Sequence, residues 1–110
     1  MSRRIVSACC FLVAACLSAC REPDYPYTSE GLYLENCSRC HESDGNSRTA
    51  SRLAKSKIDL RDPKMQKELS NGEIAYIMQF GVGRMPGIDK LGPAEIDSIL
   101  LHVRRLGRRP

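Results

Sequence analysis

Two cysteines and a histidine at close spacing are the residues best able to do chemistry in this chain of 110 residues. Cys37, Cys40 and His41 lie together in the segment ENCSRCHESDG. Three kinds of site use these residue types: a metal site, a redox-active dithiol, and the CxxCH signature that anchors a covalently bound haem. The rest of the chain has to supply whatever partner each site requires.

The N-terminal segment has the pattern of an export signal. Arg3 and Arg4 precede an uncharged, apolar run that extends from Ile5 to Cys20, as in a secretory signal peptide. The run is shorter than the about 20 apolar residues that span a bilayer comfortably. Its end, LSAC, resembles the lipobox of bacterial lipoproteins. That resemblance implies cleavage before Cys20 and a lipid anchor on the Cys20 sulfur, which would hold the protein to a membrane.

This interpretation divides the chain into a signal peptide at 1–19, a lipidated tether at 20–28 and one domain at 29–110. The signal peptide contains Cys9, Cys10 and Cys16, so only Cys37 and Cys40 remain as unmodified thiols. A framework of several disulfides is therefore impossible. Outside the cytoplasm a lone dithiol tends to oxidise, which makes a bare CxxC metal site hard to maintain.

The metal and dithiol hypotheses lack the partners that they need. A zinc site would require His41 or His102 beside the two thiols, and His41 directly follows Cys40, a poor spacing for tetrahedral closure. A thioredoxin-like dithiol would require a βαβ context, and no strand pattern alternates convincingly. After loss of the signal peptide, 15 Lys and Arg face 13 Asp and Glu. That small excess does not suggest nucleic acid binding, which calls for a strong basic footprint.

Four helical stretches are predicted, and they make the domain all-α. The first runs from Ser29, as the N-terminal cap, to His41, and the second opens with Asp62 and Pro63. The third, SNGEIAYIMQF, carries a capping box formed by Ser70 and Glu73 and ends at Gly81. The fourth runs between Pro93 and Gly107 with one apolar face. Residues 42–61 and 82–92 are predicted as loops.

Covalent haem attachment accounts for the spacing of the first motif. Each thiol must add to one haem vinyl group, and two intervening residues present both sulfurs to one edge of the porphyrin. The next residue, His41, can then offer its imidazole to the iron as the proximal ligand. A sixth ligand is available in GRMPG, where Gly83, Pro86 and Gly87 define a tight loop around the thioether of Met85.

Together these features resemble class I monohaem cytochromes c of the short bacterial lipoprotein type. The resemblance covers about residues 29–107 and rests on CSRCH at 37–41, Tyr33, GRMP at 83–86 and the amphipathic last helix. It implies a class I cytochrome c fold, three to five helices around one covalent haem c and its iron. It also implies thioethers at Cys37 and Cys40, with His41 and Met85 as axial ligands.

The chain departs from the family pattern at four places. His102 stands where the last helix commonly has Tyr, and Ser29 where the helix crossing often has Gly. Glu42 replaces a frequent Gly after the histidine. The loop NSRTASRL lacks the Pro whose carbonyl normally accepts from the proximal imidazole. These departures concern the helix crossing and the surroundings of His41, and they leave the ligands themselves intact.

The sequence therefore predicts an electron carrier rather than an enzyme. A haem c held by lipid on the periplasmic side of a bacterial membrane would pass single electrons between redox protein donors and acceptors. An apolar shell would exclude water from it and would be formed by Leu53, Ile74, Ile77, Ile88, Leu91, Ile99, Leu100 and Val103. The alternatives are a fixed haem subunit of a larger respiratory oxidoreductase, or a haem sensor with a labile sixth ligand. Arg84 and Arg61 could face a haem propionate or the partner, and the C-terminal RRLGRR cluster could dock on an acidic partner or on anionic lipid.

Overall fold

The computed structural model describes residues 28–109. The predicted signal peptide and the predicted lipid anchor at Cys20 lie outside these residues. The helices and strands, in chain order, are α1 (Ser29–Asn36), α2 (Ser38–His41), α3 (Arg48–Ala54), α4 (Pro63–Glu68), α5 (Asn71–Phe80), β1 (Gly81–Val82), β2 (Met85–Pro86) and α6 (Pro93–Leu106).

The first predicted helix is present but is broken at Cys37. Thr28, and not Ser29, is its N-terminal cap, because the Thr28 hydroxyl accepts from the amide of Gly31 at 3.0 Å. Cys37 ends α1 with a non-helical φ of −122°, and α2 adds one further turn. If α1 and α2 are counted as one interrupted helix, five helices are described, within the predicted range.

Helix α3 lies inside the stretch 42–61, so the prediction of a loop there is wrong for residues 48–54. The N-cap residue is unusual: Ser47 has a left-handed φ of 59°, and its side chain makes no capping hydrogen bond. The first turn is capped by two other side chains. Asn46 Oδ1 accepts from the amide of Arg48 at 3.0 Å, and the more distant Glu42 carboxylate accepts from both the amide and the hydroxyl of Thr49.

The other predicted helix ends are confirmed. Asp62 caps α4 by accepting from the amide of Lys64, and Pro63 is the first helical residue. Ser70 and Glu73 form the expected capping box of α5. Pro93 opens α6.

The core lies where α1 crosses α6. Tyr33 of α1 and Ile99 and Leu106 of α6 are fully buried there. At the edge of the crossing the hydroxyls of Ser29 and Ser98 are hydrogen-bonded at 2.9 Å. The departure at Ser29 is thus accommodated by a polar contact between the helices. His102 is 2% exposed and packs on Tyr33, with the two ring centroids 4.7 Å apart.

Two polar side chains fix α4 and α5 against α6. The Arg104 guanidinium donates to the carbonyls of Gln66 and Leu69 and to the side chain of Asn71. The Gln66 amide donates to the carbonyls of Leu60 and Val103. Arg104 therefore has a structural role, and only the other three arginines of RRLGRR remain for docking.

None of the helices between residues 28 and 109 is long and apolar enough to cross a membrane.

Candidate functional site

The three residues of the predicted motif share one face of a single helical turn. The amides of Cys40 and His41 both donate to the Cys37 carbonyl, at 3.2 Å and 2.9 Å. Residues at i, i+3 and i+4 of such a turn lie on the same side of it. The break in the helix at Cys37 therefore brings two sulfurs and an imidazole to one surface.

The imidazole of His41 is held by a hydroxyl. His41 Nδ1 lies 2.7 Å from the Ser47 hydroxyl oxygen, and that hydroxyl donates to the carbonyl of Gly45 at 2.9 Å. Since the hydroxyl has a single proton, both bonds form together only if Nδ1–H donates to Ser47. That arrangement leaves Nε2 without a proton and able to bind a metal ion. The Ser47 hydroxyl thus accepts the hydrogen bond from the imidazole that a proline carbonyl, absent from this loop, would normally accept.

Glu42 shows why glycine is frequent at its position. Its φ is 55°, a left-handed conformation that costs a residue with a side chain about 1–2 kcal/mol. Two contacts keep it there: the carboxylate caps α3, and its carbonyl accepts from the Tyr33 hydroxyl at 2.7 Å. These interactions therefore stabilise, at Glu42, a backbone conformation that glycine would adopt without strain.

Burial acts on two residues of the turn, Cys37 and His41. It raises the pKa of the Cys37 thiol to about 11, so this sulfur stays protonated at neutral pH. Redox-active thiols usually have a lowered pKa, and Cys37 is the opposite. Burial also lowers the pKa of His41, against the nearby charge of Glu42, and so favours the neutral imidazole.

Met85 lies in a short antiparallel hairpin that follows α5. Val82 pairs with Met85 and Gly81 with Pro86. A Cβ at Gly81 would lie 2.4 Å from the Met85 carbonyl oxygen, and one at Gly87 would lie 2.4 Å from the carbonyl of Gln79. The glycines therefore let the hairpin fold tightly against the end of α5. The predicted non-helical loop around Met85 is confirmed.

One cavity of about 380 Å³ brings the separate motifs together. Cys37, Cys40 and His41 line it from one element and Met85 from another. Its volume lies in the range of about 300–1,000 Å³ usual for cofactor pockets. Apart from Arg84 and the motif residues, nearly all of its wall is apolar, which suits a large hydrophobic group. The residues present therefore fit a covalently held haem. Met65 and Met78 also line the wall, from helices α4 and α5.

Four of the eight residues predicted to form an apolar shell around the haem line the cavity. Leu53, Ile74, Ile77 and Val103 line the cavity. The other four, Ile88, Leu91, Ile99 and Leu100, pack in or against the core instead. The part of the cavity wall that the sequence analysis did not predict comes largely from helix α3 and the chain after it, and includes Ala50, Ala54, Ile58 and Leu60. The apolar residues 50, 53 and 54, at helical spacing, were the signal for it.

The two predicted cationic candidates differ. Arg84 lines the cavity, whereas Arg61 forms ion pairs with Asp59 at 3.0 Å and Asp44 at 3.5 Å. Across residues 28–109, no group of three or more His, Cys, Asp or Glu side chains is placed to hold a metal ion. His102 does not line the cavity, so the two histidines do not meet the thiols in the way that a zinc site would need.

Comparisons with known proteins find similar cytochrome c domains. The model of the family described as "Cytochrome C oxidase, cbb3-type, subunit III" matches residues 27–103. Among solved structures, the chain is similar to "KustC0563 c-type cytochrome", with a TM-score of 0.63 and 27% sequence identity. That similarity covers 72% of this chain and 96% of the other. No curated protein matches the sequence. The predicted all-α cytochrome c fold is confirmed.

Proposed function

The chain belongs to the family of cbb3-type cytochrome c oxidase subunit III, a family of cytochrome c domains, and we propose that it is a one-electron carrier with one covalent haem c. Cys37 and Cys40 would hold the haem by thioether bonds. His41 and Met85 would be the axial ligands of its iron. When bound, the haem supplies the Fe(II)/Fe(III) couple that accepts and releases the electron.

The observation that carries this proposal is the shared cavity. Two thiols and an imidazole on one helical turn line the same apolar space as a methionine 44 positions later in the chain. A dithiol site or a zinc site makes no use of that methionine, and a thioether is a soft ligand suited to haem iron. Met65 and Met78 lie on helices, where packing is the usual role of a methionine.

The surroundings of the site would favour electron transfer with little rearrangement. Ser47 holds the His41 ring in one orientation and one tautomer, and Glu42 and Tyr33 fix the chain that follows it. The apolar wall excludes water, which favours the less charged ferrous site and so raises the reduction potential. The Met85 thioether acts in the same direction.

The proposal also covers the cellular location of the protein and its attachment to a membrane. Cytochromes of the c type are usually extracytoplasmic, in line with the signal-like segment at 1–19. We propose that Cys20 is lipidated and holds the domain on the periplasmic side of a membrane, since two or more acyl chains give stable anchoring. Labelled palmitate should enter the wild-type protein. A Cys20→Ser variant should carry no label and should leave the membrane fraction.

Cofactor attachment can be tested directly. The full chain would be expressed in a bacterium equipped to attach haem c, beside Cys37→Ala and Cys40→Ala single variants and the double variant. Wild-type protein should carry one haem that survives denaturation, and its pyridine haemochrome spectrum should show two saturated vinyl groups. Each single variant should retain one unsaturated vinyl group. A potentiometric titration of the wild type should fit one electron. Wild-type polypeptide free of covalent haem would refute the proposal.

The alternative is a fixed subunit of a larger oxidoreductase, which the family description favours because it names an oxidase subunit. A freely diffusing carrier should be recovered from detergent extracts of its own organism as a single chain. A subunit should instead co-migrate with other polypeptides and with oxidase activity through two successive separations.

A further inference from the structure

The last helix ends in a basic segment. From residue 98 to residue 110 the sequence contains four arginines and no acidic residue. Three of these arginines, Arg105, Arg108 and Arg109, are exposed. Among the described residues the ion pairs all involve Arg61, so the three have no acidic partner within 4 Å. Three unpaired positive charges therefore lie together at the end of α6.

A large apolar side chain accompanies these charges. Leu101 is 56% exposed and lies one turn before Arg105, on the same side of α6. The amide of Arg108 donates to the carbonyl of Arg105 at 3.1 Å, which continues the turn beyond the end of the helix. We call Leu101, Arg105 and Arg108, with Arg109 beside them, the basic face of α6. Asp97, one turn before Leu101, is the nearest acidic residue along the helix.

The basic face points away from the proposed haem site. Val103 lines the cavity, and Leu101 and Arg105 are each two positions from it in the helix. Two positions correspond to a rotation of about 200°, so both side chains project from the opposite side of α6. A redox protein bound to the basic face would therefore be separated from the haem by a helix of about 10 Å diameter. That position does not suit an electron donor or acceptor.

The chain enters the domain next to this face. The hydroxyls of Ser29, at the start of α1, and Ser98 are hydrogen-bonded at 2.9 Å. Ser98 is a surface neighbour of Leu101, three positions later in α6. The predicted tether at 20–28 covers at most about 30 Å when extended. A lipid on Cys20 would therefore hold the basic face within reach of the membrane surface.

We propose that the basic face of α6 lies on the anionic surface of the membrane to which the chain is anchored, with the haem cavity on the side of α6 that faces away from the lipid. The inference rests on the proposed location at a membrane and adds to it the surface that meets the lipid. Cations close to an anionic bilayer strengthen binding, and an exposed leucine adds apolar contact at the headgroup boundary. A second copy of this chain, seated on the same face, would bring like charges together.

Vesicle binding tests the basic face without the help of the anchor. The Cys20→Ser holoprotein, which carries no lipid, would be sedimented with vesicles of phosphatidylcholine alone or mixed with phosphatidylglycerol. The ionic strength would be about 10 mM or 500 mM, where the screening length falls from about 30 Å to a few Å. The variants made on this background would be Leu101→Ser, the pair Arg105→Gln with Arg108→Gln, and the control pair Arg52→Gln with Lys55→Gln. The control pair removes the same charge at exposed residues of α3.

Binding should depend on the arginines of the basic face. At low ionic strength the parent protein should bind vesicles with phosphatidylglycerol at least about tenfold more tightly than at high ionic strength. One cation near an anionic surface corresponds to about a fivefold change in partition, so the Arg105 and Arg108 pair should weaken binding about 25-fold. Leu101→Ser should weaken it at least about twofold. The control pair should change it by less than about threefold.

The orientation at the membrane can be tested on the lipidated holoprotein. A photo-reactive p-benzoylphenylalanine would replace Leu101, or Leu53 as a matched control, in protein reconstituted into vesicles that contain phosphatidylglycerol. Leu101 is 56% exposed and Leu53 48%, but only Leu53 lines the haem cavity. Irradiation should attach lipid at position 101 and little or none at position 53.

Several results would overturn the inference. Equal losses of vesicle binding in the two charge pairs would show that net charge acts, without a binding face. Binding that does not depend on phosphatidylglycerol or on ionic strength would do the same. Crosslinks from position 101 to the tether, whose Glu22 and Asp24 are acidic, to a second copy or to another protein would identify a different occupant. Palmitate on Cys20 without any vesicle binding overturns the basic face alone, whereas an unlabelled wild type refutes the anchor.

Discussion

The Ser47 hydroxyl should lower the reduction potential of the bound haem, and its removal should raise it. The hydroxyl is the acceptor for His41 Nδ1–H at 2.7 Å and is fully buried. An acceptor at Nδ1 makes the imidazole a better electron donor, which stabilises ferric iron more than ferrous iron. Without this acceptor, the ferric state loses the larger share of stabilisation.

The size of the effect is bounded by the hydrogen bond itself. A net hydrogen bond contributes about 0.5–1.5 kcal/mol. For a one-electron couple, 59 mV corresponds to about 1.4 kcal/mol, so removal should raise the potential by about 20–60 mV. The assay is a potentiometric titration of the holoprotein at neutral pH.

Two variants separate this effect from backbone strain. Ser47 has a φ of 59°, which Gly adopts without cost and Ala does not. Ser47→Gly and Ser47→Ala both lack the hydroxyl, so their potentials should rise by similar amounts. The Gly variant should nevertheless be more stable than the Ala variant, by about 1 kcal/mol. A fall in potential, or no change in either variant, would refute this account of Ser47.

Three further predictions concern the hairpin, the thiols and the helix crossing. Gly81→Ala should lower the free energy of unfolding by more than about 2 kcal/mol, because its Cβ would meet backbone 2.4 Å away. Gly83→Ala, also at positive φ but with open space around it, should cost only about 1 kcal/mol, and denaturant titration compares them. The Cys37→Ala, Cys40→Ala double variant should fail to unfold cooperatively, since the aromatic-poor domain lacks the apolar bulk that the haem supplies; a cooperative transition without haem would contradict this. Burial lowers the pKa of His102, so the unfolded chain binds a proton at this residue more readily than the folded chain does. The free energy of unfolding should therefore fall as pH drops below about 6.5. His102→Phe should weaken that fall, and equal slopes of unfolding free energy against pH in the two proteins would contradict the reasoning.

Local sequence signals were enough for most of the helices. Asp62 with Pro63 and the Ser70–Glu73 capping box act over three or four residues, so the sequence shows both partners at once. The break at Cys37 was not foreseen, because α1 and α2 read as one continuous helical stretch. A helix interrupted by one residue leaves little trace in an apolar pattern.

The features that sequence reasoning missed depend on residues that meet only after folding. The N-cap residue of helix α3, Ser47, makes no side-chain capping bond, and part of the capping comes from Glu42, which lies seven residues before Thr49. The sequence shows that the proline is absent, but the replacement of its carbonyl by the Ser47 hydroxyl depends on the loop folding back on His41. The sequence also does not show that Met65, Met78 and Met85 line one cavity, because three separate elements contribute them.

The axial role of Met85 is tested most directly by the far-red absorption of the ferric holoprotein. Bonding of a thioether to ferric haem iron gives a weak band there, which the wild-type protein should show. Met85→Ala should abolish the band and allow carbon monoxide to bind the ferrous form readily. Met65→Leu and Met78→Leu, which change the other two methionines of the cavity wall, should keep the band. A wild-type protein without the band, or a Met85→Ala variant that retains it, would contradict the assignment.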